Sequence, residues 1–218
     1  MGIVKAHKQF MKMEISEITA AILAGGENKR FGSNKALALV NGIPIIQHIR
    51  NQLRLSVRRI SVITNTPDAF VFLDLPVYRD IFPGRGPIGG LYTALVRQRR
   101  IFQKTSCSAW TFVAPCDLPF FSCNILHVLT RYIRNVDAVC FTKDGKTEPV
   151  PALFNMKILP KLKMYLKTGD YTFQTFLNKC DVFHVPLENV TDEIDPQMLL
   201  NCNTPDDYRN TVVNILPE

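Results

Sequence analysis

The sequence predicts an α/β fold in three layers, a mostly parallel sheet with helices on both faces. Short apolar runs of strand length alternate with segments whose apolar residues recur near every 3.6 positions. Such alternation implies parallel neighbours and a sheet covered on both sides. The chain has 218 residues, 46% of them hydrophobic, enough for one domain with a sizeable core. No internal repeat and no Ser/Gly linker divides it. Residues 17–218 are therefore expected to form a single domain behind a tail of residues 1–16.

That tail is basic and lacks an apolar centre, so it is not read as a secretory signal. The first strand, Thr19–Ala24, lies in the apolar run Ile18 to Ala24 and breaks at a glycine pair. Asn41-Gly42 is a turn signal that closes a small hairpin. The helix Pro44–Leu55 follows, and Pro44 suits a first helical turn because its missing N–H costs nothing there. Next come strand Arg59–Thr64, short strand Pro76–Tyr78 and helix Pro87–Arg97, again opened by proline. Strand Ala109–Pro115, helix Cys123–Arg134, strands Asp137–Phe141 and Val150–Asn155, helix Met156–Leu166 and strand Asp181–Val185 complete the pattern. Period and polarity are mixed between Gly169 and Asn201. Thr204, Pro205, Asp206 and Asp207 form a strong helix start, as N-cap, first helical residue and two first-turn acids.

No apolar run is long enough to cross a bilayer, so no membrane partner is expected. The six cysteines form no Cys-x-x-Cys pair and have no zinc-ligand spacing. They are expected to be free thiols in a reducing cytoplasm. The net charge of +7 suits a polyanionic partner, either nucleic acid or a small phosphorylated ligand. The Arg58-Arg59 and Arg99-Arg100 pairs read as solvated faces. No zinc finger, ribonucleoprotein-type aromatic motif or long basic arm is present, so nucleic acid is not the expected partner.

The most informative stretch runs from Ala21 through Gly25, Gly26, Arg30 and Gly32 to Lys35. Glycines directly after a buried strand let the backbone turn sharply and approach a ligand. The free N–H groups of such a turn form an anion-binding concavity, and Arg30 and Lys35 add positive charge beyond it. The pattern is not a P-loop, because Ser33 and Asn34 separate Gly32 from Lys35. Nor is it Gly-x-Gly-x-x-Gly, because Gly25 and Gly26 are adjacent. Open parallel sheets bind ligands beyond the carboxyl ends of their strands, so strand-end residues carry the functional question. Asp117, in Pro115-Cys116-Asp117-Leu118-Pro119, is either a structural turn residue or a Mg²⁺ ligand. Gly89 and Gly90, in the first turn of a helix, imply either close ligand approach or tight helix–sheet packing.

These motifs resemble those of nucleotidyltransferases that carry Leu-Ala-Gly-Gly-x-x-x-Arg-Met-Gly-x-x-Lys near the N-terminus, and most closely the molybdenum cofactor guanylyltransferases. The chain departs from that pattern at Phe31, where Met is usual, and at Asn34, where an acid is common. The resemblance runs from about Thr19 to Tyr208, with four motifs in order. It implies a three-layer Rossmann-like nucleotidyltransferase fold and transfer of GMP from GTP to the terminal phosphate of molybdopterin, releasing pyrophosphate. It implies Mg²⁺ on Asp117, catalytic roles for Arg30, Lys35 and Asp117, and GTP contacts from Leu23, Ala24, Gly25, Gly26, Lys35, Asn65, Asp80 and Asp117. Asn201 and Asn203 would face the pterin, and Glu148-Pro149 matches a further family position. Proteins that deliver the pterin and molybdoenzymes that receive the product are implied partners.

Related enzymes that use CTP tend to read Leu-Ala-Ala-Gly in the first loop; Gly25 at the second Ala, and the cysteine in Pro-Cys-Asp-Leu-Pro, favour GTP here. The alternatives are a relative that uses CTP, one that acts on a sugar phosphate or another phosphorylated acceptor, and a nucleotide-sensing or nucleic-acid-binding module without turnover. His7, His48, His127 and His184 lie in tail, helix or strand contexts and are not expected to be catalytic.

Overall fold

The computed structural model describes residues 18–25, 34–101, 109–202 and 207. Alternating burial along the strands generates the three layers. In β1 (Thr19–Leu23), Ala20 and Ile22 enter one core while Ala21 and Leu23 enter the other. Successive side chains point to opposite faces of a strand, so a run buried at every position needs cover on both sides.

Around β1 the chain builds a seven-stranded sheet in the order β5-β4-β1-β6-β8-β7-β9. β4 (Arg59–Thr64) and β6 (Trp110–Pro115) flank β1, both parallel to it. β5 (Val77–Arg79) extends the β4 side, also in parallel. β7 (Ala138–Lys143) and β8 (Lys146–Asn155) are antiparallel to one another, β8 is antiparallel to β6, and β9 (Val182–Pro186) runs parallel to β7. The strand order therefore reverses direction of growth at β1 and β6, and their carboxyl ends open side by side.

One face is covered by α1 (Ile45–Arg54) and α3 (Asn124–Thr130), the other by α2 (Gly86–Ile101), α4 (Leu159–Leu166) and α5 (Phe173–Leu177). Trp110, Phe112, Phe121, Phe141, Phe154 and Phe176 are fully buried between these layers. Each such side chain stabilises the fold by about 1.5–3 kcal/mol relative to exposure. Cys116, Cys123, Cys140 and Cys180 are free, as expected; Cys107 lies outside the described residues. Among the described residues, no helix is long and apolar enough to cross a membrane.

Three details depart from the sequence reading. Pro44 does not open the helix: it pairs in a hairpin of β2 (Leu39–Val40) and β3 (Ile43–Pro44) and occupies the N-cap of α1. Its fixed φ is tolerated equally well at that position. β8 begins at Lys146, ahead of the expected Val150, because Asp144 and Gly145, both at positive φ, turn the chain tightly from β7. The mixed region after Gly169 holds α5, too short to display a helical period.

β8 is interrupted where its register jumps from Cys140↔Ala152 to Phe141↔Glu148. Pro149 and Pro151 sit in that interval and have no N–H to give a ladder. The extra residues bulge out of the sheet.

A polar anchor holds the far half of the sheet to its helix. Asp137, just before β7, accepts from Lys161 Nζ at 2.9 Å and from the Asp181 N–H at 3.0 Å, with Lys157 Nζ at 3.5 Å. Burial opposes its charge, but the Lys161 ammonium, the Asp181 N–H and Lys157 outweigh burial and hold its pKa below the ordinary carboxylate value. A depressed folded-state pKa contributes stability that is present above the unfolded value of about 3.9 and is lost as pH falls through the folded value. Urea denaturation should therefore show that acidification through this range destabilises the wild type more than Asp137→Asn. At neutral pH that variant should be about 1–3 kcal/mol less stable.

Candidate active site

The carboxyl ends of β1, β4 and β6 meet at one end of the sheet, where most of the residues singled out from sequence converge. Leu23 ends β1 with its side chain buried, so only its backbone faces the site. The chain continues as Ala24, whose N–H donates to Ile63 O at 2.8 Å and whose carbonyl accepts from Thr64 Oγ1 at 3.0 Å. Gly25 follows against the end of β4. Gly26 and Arg30 lie outside the described residues.

Lys35 begins a short 3₁₀ turn, Lys35–Leu37, and Asn34 is its N-cap, accepting from the Ala36 N–H at 3.2 Å. Asn and Asp cap equally well, so the departure at Asn34 keeps the local geometry. Ala36 is fully buried and pins the turn to the core. Lys35 Nζ then reaches Asp117 Oδ2 at 2.5 Å.

Asp117 is 7% exposed. Its Oδ1 is buried with no hydrogen-bond partner among the described residues. Its backbone carbonyl accepts from the Cys202 N–H at 3.0 Å, which ties the segment beside Asn201 to the loop after β6. Cys116 points into the core, where burial and then the Asp117 carboxylate push its thiol up to about 12. It stays protonated and fills space.

Asn65 and Asp80 stand on the other side of Gly25. A Cβ built on Gly25 would lie 3.8 Å from Asn65 Nδ2, and the Asn65 Oδ1 is buried without a partner among the described residues. The backbone of Asn65 is held by Arg79, which donates to its carbonyl at 3.0 Å. Asp80 uses one carboxylate oxygen structurally: Oδ1 accepts from Thr93 Oγ1 at 2.7 Å and from the Phe82 N–H at 3.0 Å. Thr93 in turn accepts from the Ile81 N–H at 2.9 Å.

Thr64 and Thr93 were not singled out from sequence. Gly89 and Gly90 of α2 serve tight packing. A Cβ on Gly89 would meet Phe82 O at 2.8 Å and Asp80 Oδ2 at 3.1 Å, and one on Gly90 would meet Leu23 Cδ2 at 2.9 Å. Gly89 thus leaves room for the Asp80 turn, and Gly90 lets α2 close on β1. Arg85, in the loop before α2, stacks on Tyr171 with its Cζ 3.9 Å from the ring centroid.

Asn201 lies on the other flank, lining a cavity of about 420 Å³ with Glu148, Val150 and Pro151 of the β8 bulge and Leu199 and Leu200. Asn203 lies outside the described residues, as do Thr204, Pro205 and Asp206. The described histidines take structural contacts: His48 Nε2 lies 2.9 Å from Phe121 O, His127 Nε2 2.6 Å from Ser56 Oγ, and His184 Nδ1 3.3 Å from Thr147 Oγ1; His7 lies outside the described residues.

The described residues contain no group of three or more His, Cys, Asp or Glu able to hold a metal by themselves. Asp117, among the described residues the one buried carboxylate with an unused oxygen, is nonetheless what Mg²⁺ needs at a nucleotide site. There it takes one or two carboxylates and completes its octahedron with phosphate oxygens and waters. The donor set fits a metal that arrives with a phosphorylated ligand.

Residues 20–183 match a model of the MobA-like NTP transferase domain. A probable molybdenum cofactor guanylyltransferase of Carboxydothermus hydrogenoformans is 32% identical over 195 residues, covering 89% of this chain and 94% of that protein. The molybdenum cofactor guanylyltransferase of Haemophilus influenzae strain 86-028NP is 30% identical over 201 residues, covering 90% and 98%. In fold, the chain is similar to molybdopterin-guanine dinucleotide biosynthesis protein A from Archaeoglobus fulgidus, with a TM-score of 0.72 at 21% identity over 90% of this chain and 98% of that one.

The two kinds of glycine should respond differently to a methyl group. Gly89→Ala, driven into the Phe82 carbonyl, should lose about 1–3 kcal/mol of stability. Gly25→Ala, whose Cβ meets only ordinary contacts beyond 3.6 Å, should stay within about 1 kcal/mol of wild type, close to the range of unremarkable substitutions. Urea titrations of the two variants check the contrast.

Proposed function

The chain belongs to the MobA-like NTP transferase family, and we propose that it transfers GMP from GTP to the terminal phosphate of molybdopterin, with release of pyrophosphate. The observation that carries the chemistry is the Lys35–Asp117 pair at the strand-order reversal, with one Asp117 oxygen buried and uncommitted. The nature of the acceptor rests on the 30–32% identity to the guanylyltransferases of two bacteria.

The acceptor phosphate is the nucleophile. A phosphate monoester has a second pKa near 6, so it is an anion at neutral pH and needs no general base. The absence of a catalytic histidine among the described residues is consistent with this. The difficulty is charge, since two polyanions must meet and more negative charge develops on the leaving oxygen. Positioning and electrostatic neutralisation carry most phosphoryl-transfer catalysis.

Lys35 would hold the β- and γ-phosphates and neutralise the leaving pyrophosphate, with Arg30 assisting. Asp117 would hold Mg²⁺, with phosphate oxygens completing its shell. When bound there, Mg²⁺ supplies charge neutralisation across the phosphates. Lys35 and Asp117 touch; a nucleotide phosphate would add an anionic partner for Lys35, and Mg²⁺ a cationic one for Asp117.

The backbone of Leu23 to Gly26 and the side chains of Asn65 and Asp80 would position the nucleoside. The Asn65 carboxamide both donates and accepts, which suits a base or ribose. Asp80 keeps Oδ2 for the ligand because Thr93 and Phe82 occupy Oδ1. Asn201 and Glu148 face a cavity large enough for the acceptor. Gly25 favours the purine: its Cβ would meet no protein atom closer than 3.7 Å, so the protein's own packing does not demand glycine there.

The assay is pyrophosphate release with Mg²⁺ and molybdopterin, comparing GTP, CTP, ATP and UTP. Release with GTP alone is expected; release with CTP would overturn the base assignment, and silence with all four would overturn the acceptor. Asp117→Ala should abolish turnover, and Lys35→Ala should weaken GTP binding and slow chemistry. Gly25→Ala should lower turnover with GTP relative to CTP by about 10–200-fold, the value of one methyl group in a shaped pocket.

A further inference from the structure

A second cavity, of about 330 Å³, opens at the opposite, amino-terminal end of β1, β4 and β6. It arises from a mismatch in strand length. β5 covers only Val62–Thr64 of β4, so the first half of β4 has no strand on that side among the described residues. The carboxyl-terminal half of α2 roofs the gap with Arg97 and Ile101, and Arg54, Arg58 and Arg59 stand at its rim. Its wall is firm: Gln98 Nε2 donates to Trp110 O at 2.7 Å and its Oε1 accepts from Thr111 Oγ1.

The charge of this cavity is one-sided. Four arginines line it against a single acid, Asp74. That carboxylate is nearly fully exposed and 3.8 Å from Arg54. Arg97 is held with its Cζ 4.5 Å over the Tyr78 ring. Its Nε is buried with no hydrogen-bond partner among the described residues. A buried guanidinium N–H without an acceptor is costly in a folded protein. A planar fork fixed on an aromatic ring is pre-organised to meet an oxyanion. Ala21, Leu75, Ala94 and Ile101 add apolar lining, beside the hydroxyl residues Thr19, Ser61 and Thr111.

We propose that this cavity is a second ligand site, separate from the catalytic end, for a small phosphorylated molecule whose phosphoryl oxygens meet Arg97 and Arg58 and whose apolar part lies under α2. A phosphoryl group is the chemistry that a forked, fixed guanidinium and neighbouring arginines recognise best. The same β1, β4 and β6 strands connect the two sites, one at each end.

The test is calorimetric titration of the full chain with inorganic phosphate, inorganic pyrophosphate and GTP, without Mg²⁺, in three variants. Lys35→Ala weakens the catalytic end, so binding that persists in that variant and falls further when Arg97→Met or Arg58→Gln is added belongs to the second site. Arg97→Met keeps the stem over Tyr78 and removes the fork; it should lower that remaining affinity by about 10-fold or more, one charge-assisted contact. Arg58→Gln, exposed at the rim and without a role in packing, should lower it by about 3-fold or more. The order among the three probes distinguishes free phosphate, reaction product and substrate as the source of the phosphoryl group. Loss of all binding in Lys35→Ala, or affinities in both Arg97→Met and Arg58→Gln equal to wild type, would overturn the site.

Discussion

A carboxylate that is 7% exposed, with an ammonium group 2.5 Å away, is the contact on which this end of the molecule depends. Burying a charge is costly unless it is paired. Asp117 therefore draws Lys35 across a separation of 82 residues. The backbones are prepared for this meeting. Asn34 caps the turn that presents Lys35, buried Ala36 anchors it, and the Cys202 N–H holds the carbonyl of Asp117. The pair joins the loop after β1 to the loop after β6, the two strand ends that the sheet order leaves open side by side. Removing Lys35 takes the charged partner from a nearly buried carboxylate, so the two behave as a unit.

Tight packing keeps that unit in register. Gly90 lets α2 press on Leu23, the last residue of β1, and Gly89 leaves space for Asp80 to turn back on Thr93. The nucleotide end thus rests on backbone close to backbone. Positive charge is placed at both ends of the central strands, by Lys35 at one and by Arg54, Arg58, Arg59 and Arg97 at the other. The net charge of +7 is in this respect a property of places.

Most of the sheet was legible because its central strands are mostly apolar and buried on both faces, and such strands read as continuous runs. Asp117, Asn65, Asp80 and Asn201 were singled out through the family motifs; local pattern alone left Asp117 open between a turn residue and a metal ligand. The start of β8 was not, because Lys146 to Pro149 is polar and proline-bearing and pairs only through the tight turn at Asp144 and Gly145. Thr93 was hidden by ordinary helix context, since a hydroxyl bond to Asp80 across 13 residues leaves no periodic trace. The Lys35–Asp117 contact and the roofed arginine cavity are products of topology, and no local pattern encodes them. The choice between ligand approach and packing at Gly89 and Gly90 also needed atoms, because both alternatives ask for the same residue.

β8 runs against its neighbours and bulges at Pro149 to Pro151. The wall of the large cavity is thus made from the irregular half of the sheet, while the loop after β1 is made from the parallel half. In mechanical terms the molecule is a rigid jig with an adjustable jaw. Insertions or exchanges in the bulge re-cut the shape of that cavity without disturbing the Lys35–Asp117 end. Within such a design, one wall can change while the other is inherited whole.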